Sequence, residues 1–241
     1  MIRLDKYLAD AGAGTRTQVK ELIRKGCVSV DGKMIRRPEE KVNEQTVRVT
    51  VNGTEYQYRT YRYFMLNKPA GVVSATEDKR EKTVLDLFPE EIRKDLFPVG
   101  RLDKDTVGLL ILTNDGVLAH NLLSPKKHVS KTYLVGTGRP VSEEELRQLR
   151  SGVDIGEKKR TLPAEAWYAK EKNQIYLSIR EGKFHQIKRM LAAVDNEVFY
   201  LKRITMGLLT LDENLAEGSF RELTEEEIDM LYGIEVEKEM K

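Results

Sequence analysis

The chain has 241 residues, 40% of them hydrophobic, and its 41 Lys and Arg against 39 Asp and Glu give a formal net charge of +2. This suits a medium domain plus a small one; it excludes a membrane-spanning helix, which needs a run of about 18 apolar residues, and the charged opening Met1–Lys6 excludes a secretory signal peptide. The single cysteine, Cys27, excludes an internal disulfide and a cysteine zinc cluster and reads as a small buried apolar residue, so the composition points to a cytoplasmic protein outside the membrane.

The near-neutral charge conceals an asymmetry. Residues 222–241 carry eight acids and two lysines; without them the body holds 39 basic and 31 acidic residues, a net of +8. A basic body favours a polyanionic partner. The acidic end reads as a solvated final helix and a frayed tail, 233–241.

In chain order, Leu4, Tyr7 and Leu8 fall at i, i+3 and i+4, which predicts a helix stopped by Ala11-Gly12-Ala13-Gly14. Thr15 is the expected N-cap of a second helix, with Val19, Leu22 and Ile23 on its apolar face and Gly26 at its end. Asp31-Gly32, between Val28-Ser29-Val30 and Lys33-Met34-Ile35, is a two-residue hairpin signal. Val47, Val49 and Val51 alternate as strands do. Residues 1–60 thus form one expected α/β module, with a hinge near Arg59-Thr60-Tyr61-Arg62.

Residues 61–232 form the second expected domain. Tyr63-Phe64-Met65-Leu66 reads as a buried strand stopped by the turn cluster Asn67-Lys68-Pro69-Ala70-Gly71, and Val72-Val73-Ser74 resumes a strand. A short helix covers Thr83–Phe88. Val107–Leu112 is an apolar strand, followed by the turn Asn114-Asp115-Gly116 and a helix bearing Leu118, Leu122 and Leu123. Strands follow at 132–135 and 174–179, a helix opens at Ser142 with three glutamates in its first turn, and 185–194 reads as a helix. The fold class is α+β.

One stretch carries chemistry: Gly100-Arg101-Leu102-Asp103-Lys104-Asp105-Thr106-Val107-Gly108. It sets Asp103 at the lip of an apolar strand, where an acid is costly unless paired or used. The string resembles the active-site motif of the pseudouridine synthases that modify ribosomal RNA. The likeness continues through Asn67-Lys68-Pro69, Lys131-Thr132-Tyr133, Lys183-Phe184-His185-Gln186-Ile187-Lys188-Arg189-Met190 and Leu201–Gly207, and spans Arg3 to about Leu231. The first 48 residues resemble the alpha-L RNA-binding motif of a ribosomal protein. Arg62–Pro69 and His185–Met190 look most like the RsuA-type branch, which acts on one uridine of 16S ribosomal RNA, at about position 516.

The resemblance implies a small N-terminal RNA-binding module and a catalytic domain with a mixed, mostly antiparallel sheet and flanking helices. It implies isomerisation of uridine to pseudouridine without metal or cofactor, by a monomer acting on 16S RNA partly assembled with protein. The alternatives are a 23S-directed sibling and a non-catalytic ribosome assembly factor. In the implied site Asp103 is the catalytic acid, working at C1′ or through proton loss at C2′. Tyr133 stacks on the target base and Lys188 is the cation beside Asp103, with Lys183 or Arg189 as alternatives for that partner. Arg101 meets the RNA near the extruded nucleotide; a planar guanidinium stacks well where a base has left. Lys68, Lys183, His185 and Arg189 are the expected RNA contacts of this domain. Arg3, Lys6, Arg16, Lys20, Arg24 and Lys25 are expected to meet phosphates from the N-terminal module. Asp105 reads as a surface or turn acid.

Overall fold

Thr15 caps a helix as its sequence position suggests: its hydroxyl accepts from the Gln18 amide while the Gln18 side chain accepts from the Thr15 amide. This computed structural model describes residues 1–44, 46–58 and 61–233. Arg59 and Thr60 of the expected hinge, and residues 234–241 of the expected tail, lie outside the described residues. The chain divides into two units, Met1–Arg62 with Pro89–Lys94, and Tyr63–Phe88 with the chain from Asp95 onward.

The first unit comprises β1 (Ile2–Arg3), α1 (Leu4–Asp10), α2 (Arg16–Arg24), β2 (Val28–Val30), β3 (Lys33–Ile35), β4 (Lys41–Val42), β5 (Val49–Val51) and β6 (Thr54–Tyr56), with the short α3 (Glu90–Arg93). Strands pair antiparallel in the order β3-β2-β5-β6. Asp31-Gly32 and Asn52-Gly53 both turn with positive φ, 49° and 79° then 49° and 85°, which suits the tight turn of a twisted hairpin. Leu4, Tyr7 and Leu8 of α1 meet Val19 and Ile23 of α2 over Val28, Val49 and Val51. Each such buried side chain contributes about 1.5–3 kcal/mol of apolar transfer. Cys27, expected to be buried, is half-buried.

The second unit holds β7 (Tyr63–Lys68), β8 (Phe97–Pro98), β9 (Val107–Thr113), α4 (Gly116–Leu123), β10 (Lys131–Thr137), α5 (Glu143–Ser151), β11 (Glu165–Tyr168), β12 (Gln174–Ile179), α6 (Gln186–Ala192), β13 (Val198–Met206), β14 (Leu209–Thr210), β15 (Phe220–Glu222) and α7 (Glu225–Tyr232). The sheet runs β11-β12-β10-β13-β9-β7-β15, with β8 on β9 and β14 on β13. Every pair is antiparallel except β9 with β13, which meet in parallel at Val107–Lys202 and Gly108–Arg203. Gly108 is required there: its φ is +97° and a Cβ would stand 2.4 Å from the Arg203 carbonyl oxygen.

All seven residues of β9 are buried, as befits a strand covered on both faces. Leu109 and Ile111 pack with Met65 and Met206 against Leu118 and Leu122 of α4 and Leu231 of α7. Asp115 fixes the start of α4 by accepting from the Val117 and Leu118 amides. Two expectations need correction. Residues 72–74 make one isolated bridge, Val73 to Thr83, in place of a strand. The strand expected to stop at Leu66 continues through Asn67 and Lys68, because both polar side chains find backbone carbonyls inside.

Candidate active site

The segment from Arg101 to Thr106 is fixed from beneath. The Thr106 amide donates to the Asp103 carbonyl at 3.1 Å, closing a tight turn. The Ser74 hydroxyl donates to the Leu102 carbonyl (2.9 Å) and accepts from the Leu102 amide (3.0 Å). The Gly71 amide donates to the Lys104 carbonyl at 2.8 Å.

Lys68 completes this support, and its expected contact with RNA is corrected here. Its side chain is 0% exposed, and its ammonium donates to the carbonyls of Pro69 (3.0 Å), Asp103 (3.1 Å) and Thr106 (2.9 Å), with Lys104 at 3.4 Å. Burial pulls its pKa down to about 8, against the charges of Asp105 and Asp103, which raise it. A bare buried cation costs several kcal/mol, which four carbonyl oxygens offset. The chain around Asp103 is therefore wrapped about a lysine, and no phosphate reaches that lysine.

Above the turn lies an open cleft, lined by Arg101, Asp103, Tyr133, His185 and Lys188 among others. Tyr133 of β10, Ile179 of β12 and Leu201 of β13 supply flat or apolar lining. Arg101 is exposed at the edge and makes no ion pair or hydrogen bond among the described residues.

Helix α6 brings the basic side chains. Gln186 anchors its start by accepting from the Lys183 amide (2.9 Å) and donating to Glu181 (2.8 Å). His185 caps it in the left-handed region, φ +48°, a conformation that costs energy in a residue with a Cβ and concentrates at functional sites. Its Nε2 stands 3.7 Å from Asp103 Oδ1. One turn on, Lys188 Nζ stands 3.5 Å from Asp103 Oδ2. The same ammonium lies 2.7 and 2.8 Å from the two oxygens of Asp105. That hydrogen bond holds the Asp105 carboxyl below its ordinary range, against a smaller burial effect. Asp103 itself is 31% exposed, and among the described residues its carboxylate accepts no hydrogen bond. Asp105 is thus an exposed acid that holds a cleft cation, a pairing across 83 positions of sequence that no local pattern announces.

The two other basic residues of this segment point elsewhere. Arg189 ties α6 to the preceding loop through Glu157 (2.9 Å) and the carbonyls of Phe184 and Ile155. Lys183 lines the cleft but braces the same loop, near Glu157 (3.6 Å), Glu181 (3.7 Å) and the carbonyls of Lys159 and Arg160. Among the described residues no cluster of three or more His, Cys, Asp or Glu could hold a metal.

In the first unit, Arg3, Arg16 and Lys20 converge on Asp5, at 2.9, 3.5 and 3.9 Å. Lys6, Arg24 and Lys25 are exposed nearby in sequence, Lys25 pairing with Glu21 at 3.8 Å. Arg16, Lys20 and Arg24 recur every fourth residue and share one face of α2.

Residues 62–193 match the RNA pseudouridylate synthase family, and residues 2–47 match the S4 domain. The chain belongs to the RNA pseudouridine synthases. It is 52% identical to an uncharacterised RNA pseudouridine synthase of Bacillus subtilis, YtzG, over 95% of this chain and 98% of that one. It is 42% identical to the ribosomal small subunit pseudouridine synthase A of Escherichia coli, over 94% and 98%. A solved pseudouridylate synthase at 36% identity superposes with a TM-score of 0.68, covering 96% of this chain and all of that one. The enzyme therefore pairs an S4 domain with a pseudouridine synthase fold, and no helix among its described residues is long and apolar enough to cross a membrane.

Proposed function

We propose that this enzyme converts one uridine of the small-subunit 16S ribosomal RNA to pseudouridine, acting as a cytoplasmic monomer on RNA partly assembled with protein. The relatives of Escherichia coli and Vibrio cholerae, 42% and 41% identical over nearly their whole length, carry the small-subunit name and support that substrate. The observation that carries the chemistry is a single carboxylate, Asp103, which faces an open cleft between two basic side chains with no hydrogen bond to occupy it.

Asp103 works at the ribose, as nucleophile at C1′ whose ester bond breaks when C5 attacks, or as the base that takes the proton from C2′ and returns it once C5 has bonded. The N1–C1′ bond breaks, the uracil turns over the Tyr133 ring, and C5 bonds to C1′. The proton leaves C5 and N1 gains one, so the isomerisation balances without an external donor. Lys188, 3.5 Å from Asp103 Oδ2, is the positive charge that faces the carboxylate during the reaction. Arg101 fills the space vacated in the RNA stack, and the basic face of α2 holds phosphates, which gives affinity without sequence choice.

Mapping pseudouridine in both ribosomal RNAs of a deletion strain tests the assignment. One 16S site should vanish and return with the wild-type gene. Loss of a 23S site would move the target to the large subunit. An unchanged map, with binding of 16S RNA intact, would favour a non-catalytic assembly factor.

A further inference from the structure

Two acids share one lysine at the mouth of the cleft, and they share it unequally. Lys188 gives Asp105 two short contacts, 2.7 and 2.8 Å, and stands off from Asp103 at 3.5 Å. We propose that Asp105 is a positioning residue: it restrains the Lys188 ammonium so that the cation acts on Asp103 through space and leaves both Asp103 oxygens open to the ribose. This rests on the reading of Asp103 as the reacting carboxylate.

An ammonium that bonded Asp103 directly would stabilise the carboxylate by a charge-assisted hydrogen bond and blunt it as nucleophile or base. An ammonium too far away would give Asp103 no electrostatic partner. The observed arrangement lies between these limits, and its parts are fixed. Asp103 and Asp105 are held two residues apart by the turn that Lys68 and Ser74 pin from below. Lys188 is held by the first turns of α6 and is mostly shielded, with 27% of its side chain exposed. Asp105 is 70% exposed, so folding does not depend on it, and an exposed ion pair of this kind contributes little to stability. Its two contacts to a shielded cation are better explained by what they do for the neighbouring acid. The lowered pKa of Asp105 keeps it charged wherever the enzyme works.

The other groups around Asp103 stay unchanged in the test: Arg101 on its own loop, His185 and Lys183 at the start of α6, Tyr133 on β10, and Lys68 beneath the turn. Asp105→Asn removes a negative charge close to Asp103 and releases Lys188 to bond it. Both changes increase the net positive charge that bears on Asp103.

The test measures single-turnover rates on an RNA fragment bearing the target uridine, across pH, for wild type, Asp105→Asn, Asp105→Glu and Asp103→Asn. Asp105→Asn should react about tenfold more slowly, the size of one charge-assisted hydrogen bond gained in the ground state. Its acid limb should move to lower pH, and its RNA affinity and melting temperature should match wild type. Asp105→Glu, which keeps the charge, should recover most of the rate. A wild-type rate and acid limb in Asp105→Asn, with Asp103→Asn inactive, would overturn this inference alone. Weakened RNA affinity at an unchanged rate would also overturn it and make Asp105 an RNA contact. Turnover by Asp103→Asn would overturn the assignment of the reacting group and this inference together.

Discussion

Each unit of this enzyme contains an aspartate surrounded by cations, and the two are used in opposite ways. Asp5 is 0% exposed and takes two hydrogen bonds from Arg3, with Arg16 at 3.5 Å and Lys20 at 3.9 Å. Burial pushes its pKa upward, but Arg3 and Arg16 outweigh this and hold the carboxyl below its ordinary value. Asp103 also faces basic side chains, Lys188 and His185, yet their donors are spent elsewhere or stand too far off to bond. A carboxylate whose lone pairs are filled organises structure. One that is left unfilled keeps its lone pairs open. The same residue types therefore make a filled scaffold in one unit and, on the reading proposed above, a reactive centre in the other.

Lys188→Met probes the reactive centre and has the largest expected effect in this series. Loss of the through-space cation should slow turnover about 10²–10³-fold, the usual cost of removing one preorganised electrostatic partner. The acid limb of the rate should move to higher pH, opposite to Asp105→Asn, because the positive charge beside Asp103 is gone. Rate profiles of the two variants, shifted in the same direction, would break the contrast between scaffold and reactive acid.

Asp5→Asn probes the scaffold. It leaves three half-exposed cations around a buried neutral amide, and the first unit should lose about 1–2 kcal/mol, the scale of charge-assisted hydrogen bonds discounted for solvent screening. Hydrogen exchange should register the loss in α1 and α2 and leave the β9 amides protected. Because the folded pKa of Asp5 lies below the unfolded value near 3.9, its contribution is complete above that pH and disappears as the pH falls through the folded value. Equal loosening of β9 would show that the two units do not separate energetically.

Smaller still is the effect of Arg16→Gln with Lys20→Gln. RNA affinity should fall without a change in target site, and the slope of log affinity against log salt should drop by about 1.4, roughly 0.7 per phosphate contact. An unchanged slope would mean that the Asp5 collar never meets RNA. The smallest effect concerns a third satisfied acid, Glu145, whose hydrogen bonds from Arg139 and the Ser142 amide hold its pKa down to about 2. Its support for α5 is complete above pH 4.5 and is lost as the pH falls toward 2. Glu145→Gln should flatten acid unfolding across that window, read by circular dichroism, while turnover at neutral pH stays at the wild-type level.

Local signals explain what could be read from the sequence. Thr15, Ser142 and Asp115 cap helices because their oxygens reach amides two or three residues on. The strands of 107–113 and 174–179 announce themselves by apolar content. Asp103 stands out because an acid beside such a strand demands a reason. What stayed hidden depends on reach through space. Lys68 looked like a phosphate ligand until its ammonium was found among carbonyls some 35 positions along the chain. Arg189 sits in a basic string but turns back to the 155–157 loop. Asp105 looked solvated because its partner lies on another element. Strand β13 was known only as a motif, since Lys202 and Arg203 break its apolar pattern, and Arg203 is buried with its Nε donating to the Leu109 carbonyl at 2.7 Å.

In the mechanism proposed above, one unfilled carboxylate, Asp103, performs the isomerisation. The most direct test maps 16S ribosomal RNA from a deletion strain complemented with Asp103→Asn, alongside the purified variant's affinity for the same RNA. The account predicts that the target uridine stays unmodified while affinity remains within about twofold of wild type, since the substitution leaves every cation and the cleft in place. Pseudouridine restored at that site by Asp103→Asn would contradict it.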